Sequence, residues 1–141
     1  MYPEKKPSVL VCVTGQHSCD RLIKKGYETA KEQGLELHIL SVHDPRENFA
    51  ESAKEYEYLC NTAKELSADM TILFEKNAPM AAAGFARKMN AAQLVTGMPD
   101  GRPNGFIVLL HELLPTLQLT MVTKSDECVD YFVHRSDRAY A

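Results

Sequence analysis

Leu94-Val95-Thr96-Gly97-Met98-Pro99-Asp100-Gly101-Arg102-Pro103-Asn104-Gly105-Phe106 decides how the rest of the chain reads. An apolar strand enters a loop punctuated by Gly97, Gly101 and Gly105, and a helix-like apolar run leaves it. In an open parallel sheet, the loop at the carboxyl end of a central strand is where ligands sit. Backbone N–H groups of such a loop, with the N-terminus of the following helix, suit a phosphate.

Outward from this loop, strands and helices alternate. Residues 8–13 form a continuous apolar, β-branched run, the pattern of a strand buried on both faces. Thr14-Gly15-Gln16-His17 turns the chain. Ser18 is placed to cap a helix, with Asp20 favourable in its first turn. Leu22, Ile23, Tyr27 and Ala30 share one face of that helix, and Gly34 stops it. A second strand spans 35–42 and breaks at His43-Asp44-Pro45-Arg46. Asn48 opens a helix over 48–66, with Phe49, Ala53, Tyr56, Leu59, Cys60, Ala63 and Leu66 as its buried stripe. A strand follows at 70–75. Asn77-Ala78-Pro79 then starts a third helix, its proline tolerated in the first turn, and Ala82, Ala83, Phe85, Ala86 and Met89 suit close packing on a sheet. The strand at 92–96 leads into the opening loop, a fourth helix runs over 105–114, and a fifth strand begins at Leu117 and ends at Thr123. Strands alternating with helices specify a parallel sheet with helices on both faces and right-handed crossovers.

The chain of 141 residues has the size of one domain, and 45% hydrophobic with 25% charged residues is enough to bury a core. A net charge of −3 gives no electrostatic case for nucleic acid or an anionic membrane. No run has the length of a transmembrane helix. Residues 1–7 read as a short polar extension rather than a signal peptide, residues 8–123 as the α/β domain, and residues 124–141 as a tail, either an extra edge strand or a partner contact. Cys12, Cys19, Cys60 and Cys128 lack the spacing of a zinc or redox motif and read as free thiols in a reducing, cytoplasmic setting.

Several residues together make the sequence resemble the universal stress protein family over 8–123. Val9-Leu10-Val11-Cys12-Val13-Thr14-Gly15 is similar to the family's first strand and turn. Gly34-Leu35-Glu36-Leu37-His38-Ile39-Leu40 is similar to its second strand, and Ala91-Ala92-Gln93-Leu94-Val95-Thr96-Gly97 to the strand that delivers the nucleotide loop. The nearest flavour is the stress-protein-like domain of potassium-sensing histidine kinases. The resemblance implies a single-domain, open, five-stranded parallel sheet in the order 3-2-1-4-5, of the adenine-nucleotide alpha hydrolase-like kind. It also implies a homodimer paired through the strand from Leu117 to Thr123, whose outer edge reads as open, and ATP or AMP as a cofactor in the members that bind one.

Two features depart from the ATP-binding pattern that the resemblance brings with it. Thr14 stands where those members carry an Asp at the end of the first strand. In their Gly-x2-Gly-x9-Gly-Ser/Thr motif, the first glycine matches Gly97 and the last Gly105. These stand eight positions apart where the motif sets thirteen, and Phe106 replaces the hydroxyl residue. Phe106 has no side-chain hydrogen bond to offer a triphosphate.

The candidate nucleotide-binding residues are Thr14, Gly15, Gln16, Val42, Gly97, Gly101, Asn104 and Gly105, around the switch point between strands 1 and 4. Asn104 reads equally as a helix cap. His17 reads as a loop histidine, Cys19 as a half-buried helix residue, and His43-Asp44 as neighbours that point apart at a strand end. Met80, Met89, Met98 and Phe85 read as core more than as a hydrophobic site. Glu51, Lys54, Glu55 and Glu57 make a solvated helix face. No catalytic residue and no metal ligand is assigned. One functional reading is a stress-response regulatory module with weak or absent nucleotide binding that acts on an unknown protein partner. The alternative is a dimeric scaffold without a nucleotide. An ATP-hydrolysing or adenylate-forming enzyme comes third, because the pyrophosphatase loop, the His-x-Gly-His signature and a P-loop are all missing.

Overall fold

A computed structural model describes residues 6–98 and 104–131. In chain order the elements are β1 (Ser8–Cys12), α1 (Asp20–Gln33), β2 (Glu36–His43), α2 (Ala53–Glu65), β3 (Asp69–Phe74), α3 (Ala78–Lys88), β4 (Ala91–Met98), α4 (Gly105–Leu113), β5 (Gln118–Thr123) and β6 (Cys128–Tyr131). The sheet order is β3-β2-β1-β4-β5-β6. The first five strands are parallel, in the order 3-2-1-4-5, and β6 adds antiparallel to β5.

β1 is buried along its whole length because both of its faces are covered. Val9 and Val11 enter one core with Leu22, Ile23, Leu59 and Ala63 from α1 and α2. Leu10 and Cys12 enter the other with Ala83, Ala86, Ile107 and Leu110 from α3 and α4. Burying one such leucine stabilises the fold by about 1.5–3 kcal/mol. The alternation of side chains along β1 thus divides the core into two layers.

Local signals set most boundaries. Gly34 adopts φ +67° after α1, the left-handed conformation that glycine reaches without strain. The side chains of Asn77 and Asn104 cap α3 and α4 by accepting from the amides of Met80 and Ile107. Asn48 accepts from the Ala50 amide and caps a 3-10 turn, Phe49–Ser52, ahead of α2.

The structure corrects four expectations. Ser18 caps nothing: it lies inside a 3-10 turn, His17–Cys19, and α1 begins without a side-chain cap. Ala53 is exposed, because the 3-10 turn offsets the start of the α2 stripe. β4 runs to Met98, so Gly97 is a strand residue paired with Val122 and not a loop residue. The outer edge of β5 is also filled, since β6 pairs Leu119 with Tyr131 and Met121 with Val129. A dimer through the strand from Leu117 to Thr123 would need β6 to leave first.

Candidate functional site

β1 leads to α1 and β2 on one side of the sheet, and β4 leads to α4 and β5 on the other. Where these connections diverge, a crevice of about 430 Å³ opens above the strand ends. The strand ends contribute Cys12, Leu40, Val42, Thr96 and Gly97. The β1–α1 connection and the start of α1 contribute Thr14, Gln16, Ser18, Cys19, Arg21 and Leu22. Ala78, Asn104 and Phe106 close it from the starts of α3 and α4.

Thr14, Gln16, Val42, Gly97 and Asn104 of the eight expected residues line this space. Thr14 is exposed, with its hydroxyl 3.5 Å from the Cys19 thiol. Asn104 faces the crevice while its side-chain oxygen caps α4. Gly15 and Gly105 are not among the lining residues. A Cβ on Gly15 would stand 2.9 Å from the Tyr56 ring. That ring is buried, and its hydroxyl is hydrogen-bonded with Ser41 at 3.0 Å and with His43 at 3.3 Å, so a side chain at position 15 would crowd the core. Gly105 is the exposed first residue of α4. Gly101, with Pro99 and Pro103, lies outside the described residues.

Arg21 and Thr96 line the crevice but are not among the residues expected from the sequence. Arg21 is the only charged residue among the described residues of the crevice wall. Its Nη1 donates to the Thr123 carbonyl at 2.9 Å and to the Asp126 carboxylate at 3.3 Å. The Thr96 hydroxyl donates to the Cys12 carbonyl at 3.0 Å, tying β4 to β1 where the two connections part. Phe106, which the sequence sets in place of the motif's hydroxyl residue, lines the crevice. Burial pushes the Cys12 thiol up to about 12, so it stands there as a neutral thiol.

The other polar candidates are engaged elsewhere. His17 stacks on Tyr58, with ring centroids 3.7 Å apart. The Tyr58 hydroxyl donates to Asp20 at 2.6 Å, and that hydrogen bond raises the phenol above its ordinary range. His43 is buried among Phe49, Tyr56 and Phe74. Asp44 turns to Arg46, whose hydrogen bonds lower its carboxyl to about 2. His43 and Asp44 are therefore not an acid–base pair. Met80 is exposed, while Met89 and Met98 are buried core residues. Among the described residues, no group of three or more His, Cys, Asp or Glu could hold a metal ion. No described helix is long and apolar enough to cross a membrane.

The same architecture occurs in solved structures. A universal stress protein in complex with cAMP superposes with a TM-score of 0.62 over 85% of this chain and 98% of its own, at 16% identity. The universal stress protein of Archaeoglobus fulgidus in complex with dAMP does so with a TM-score of 0.56, at 14% identity, over 82% of this chain and 95% of that one. The chain has the universal stress protein fold. In sequence it is 31% identical to sensor protein KdpD of Mycobacterium tuberculosis over 94 residues, 67% of this chain. The chain spans about a tenth of that protein's length, 11%. No family model matches the sequence. In this chain β6 straps antiparallel across β5, and Arg21 stands where that strap meets the crevice.

Proposed function

We propose that the chain is a universal stress protein family member acting as a regulatory module, and that its crevice binds an adenine mononucleotide weakly. The carrying observation is the crevice itself: about 430 Å³ at the switch point, with a single cationic side chain among the described residues of its wall. That volume lies in the range of small-molecule sites. The likeness to structures described as complexes with dAMP and cAMP supports the same ligand class. Val42, half-buried at the end of β2, offers backbone to a base, and Thr14 and Gln16 offer polar groups to a sugar. The shortened loop after Gly97 gives the outer phosphates of ATP little to bind, so AMP and ATP bind alike.

As a module it works through a change of contacts with a partner protein rather than through turnover. The free thiols of all four cysteines suit a reducing cytoplasm. One observation favours the scaffold reading as well. Val108 and Leu109 of α4 are 39% and 49% exposed, an apolar surface for a second copy to cover.

Calorimetric titration with AMP, cAMP and ATP, with and without magnesium, tests the ligand. The expected result is a dissociation constant on the order of 0.1–1 mM for each, or roughly −4 to −5.5 kcal/mol. Low-micromolar affinity for magnesium ATP would overturn the weak-binding reading. No heat from any adenine nucleotide at several times these concentrations would favour the scaffold.

A further inference from the structure

The protein carries a net charge of −3, yet the one charge on the described crevice wall is positive. Arg21 sits in the first turn of α1, so the positive end of the helix dipole adds to its field. The side chain is fixed from the far side. Nη1 donates to the carbonyl of Thr123, the last residue of β5, at 2.9 Å and to Asp126, in the turn that follows, at 3.3 Å. A guanidinium has five N–H donors in a rigid fork. Among the described residues its hydrogen bonds leave from Nη1, which keeps the Nε and Nη2 donors for a ligand oxyanion.

We propose that Arg21 is the phosphate-binding residue of the crevice and that, through it, the β6 strap and ligand binding stabilise one another. The ligand class is a small phosphate monoester or cyclic phosphate, which a single fork can hold without a long glycine loop. This rests on the nucleotide reading of the crevice.

The coupling follows from the geometry. Thr123 and Asp126 order the arginine before a ligand arrives, which removes part of the entropy cost of binding. By linkage, the ligand must then hold the turn, and the β6 strand that follows it, by the same free energy. The turn itself is tight: the Thr123 amide donates to the Glu127 carbonyl at 2.9 Å, and Asp126 has φ +64°. A phosphate in the crevice thus tightens the strand that fills the edge of β5, and an empty crevice leaves that strand easier to release.

The test uses the whole chain and two readouts, AMP affinity and amide hydrogen exchange over Thr123–Tyr131. Arg21→Met, which keeps the apolar stem, should weaken AMP about ten-fold or more. Arg21→Lys should restore part of that loss, and Asp126→Asn should cost a few-fold. AMP should slow exchange over β6 in the wild type and leave it unchanged in Arg21→Met. Thermal unfolding and circular dichroism identify any variant that fails to fold, in which case Arg21→Lys and Asp126→Asn decide. Wild-type affinity in Arg21→Met would overturn the assignment, and unchanged β6 exchange with AMP bound would overturn the coupling. If no adenine nucleotide binds at all, the nucleotide reading fails, and inorganic pyrophosphate then tests Arg21 by itself. Protection of β6 by pyrophosphate, lost in Arg21→Met, would uphold the site; no protection would overturn it.

Discussion

The Thr120 hydroxyl of β5 donates a 2.8 Å hydrogen bond to the Asp130 carboxylate of β6. It accepts in turn from Gln93 of β4 at 2.7 Å, and Gln93 accepts from Gln33 at the end of α1 at 2.8 Å. Gln93 and Thr120 are both buried. A chain of side-chain hydrogen bonds therefore runs from α1 across β4 and β5 to the strap, and it matches Asp130 to one position on β5. Because β6 is short and mostly exposed, such a polar link sets its register where apolar burial does not.

Thr120→Val keeps the shape and removes the hydroxyl. It leaves the buried Gln93 amide without its acceptor and Asp130 without its donor. The expected cost is about 1–3 kcal/mol, read as a lower urea midpoint at an unchanged slope. Asp130→Ala leaves the Gln93–Thr120 bond intact, so its cost should be smaller, about 0.5–1.5 kcal/mol. Equal costs for the two would mean that the buried half of the chain contributes nothing of its own.

Removing β6 should change the oligomeric state. A variant ending at Glu127 uncovers the edge of β5, including the apolar Leu119 and Met121. Such an edge is a template for a second strand. Light scattering should report a higher mass for this variant than for the full chain at equal concentration. Equal masses across the concentration range would show that the strap does not guard the edge.

How far the sequence could be read follows from where the forces lie. β1, β2, β4 and β5 are legible because burial on both faces makes them rich in apolar and β-branched residues, and because Gly34, Asn77 and Asn104 mark helix ends through local chemistry. β6 has no such signature. It holds Val129 and Tyr131 alone among large apolar residues, and it is tied down by Asp130 to Thr120. A polar pairing of that kind leaves no periodic trace in a sequence. The crevice was legible as topology, which places Thr14, Val42 and Gly97 at strand ends. Arg21 was not, because an arginine followed by Lys24 and Lys25 reads as a solvated helix face. The packing demand for a glycine at position 15 was not legible either, because the ring that crowds it, Tyr56, comes from another helix.

Asp44 gives a pH prediction of definite sign. Hydrogen bonds from Arg46, at 2.6–3.1 Å, hold its carboxyl down to about 2. Its value in the unfolded chain is about 3.9. A carboxyl depressed on folding adds stability that is fully present above the unfolded value and is lost as pH falls through the folded one. The contribution therefore fades between about pH 4 and pH 2. It is small, since the pair is solvent-screened. An NMR titration should place the Asp44 midpoint near the lower limit, and Arg46→Ala should return it toward 3.9. An unmoved midpoint in that variant would remove Arg46 as the cause.

Two helical glycines should respond in opposite directions to the same substitution. A Cβ on Gly26, where α1 crosses β1, would stand 2.1 Å from Cγ2 of Val11. Val11 is fully buried in the core with Ile23 and Leu59, so neither side can give way without moving the helix off the sheet. Gly26→Ala should destabilise by about 1–3 kcal/mol or more. A Cβ on Gly84, on the exposed face of α3, would meet nothing within 4 Å. There the substitution only narrows the unfolded ensemble and favours the helix, so Gly84→Ala should stabilise by about 0.5–1 kcal/mol. Thermal melts of the two variants beside the parent read both signs at once. A stabilised Gly26→Ala would mean that α1 does not sit against β1 as closely as the Val11 contact requires.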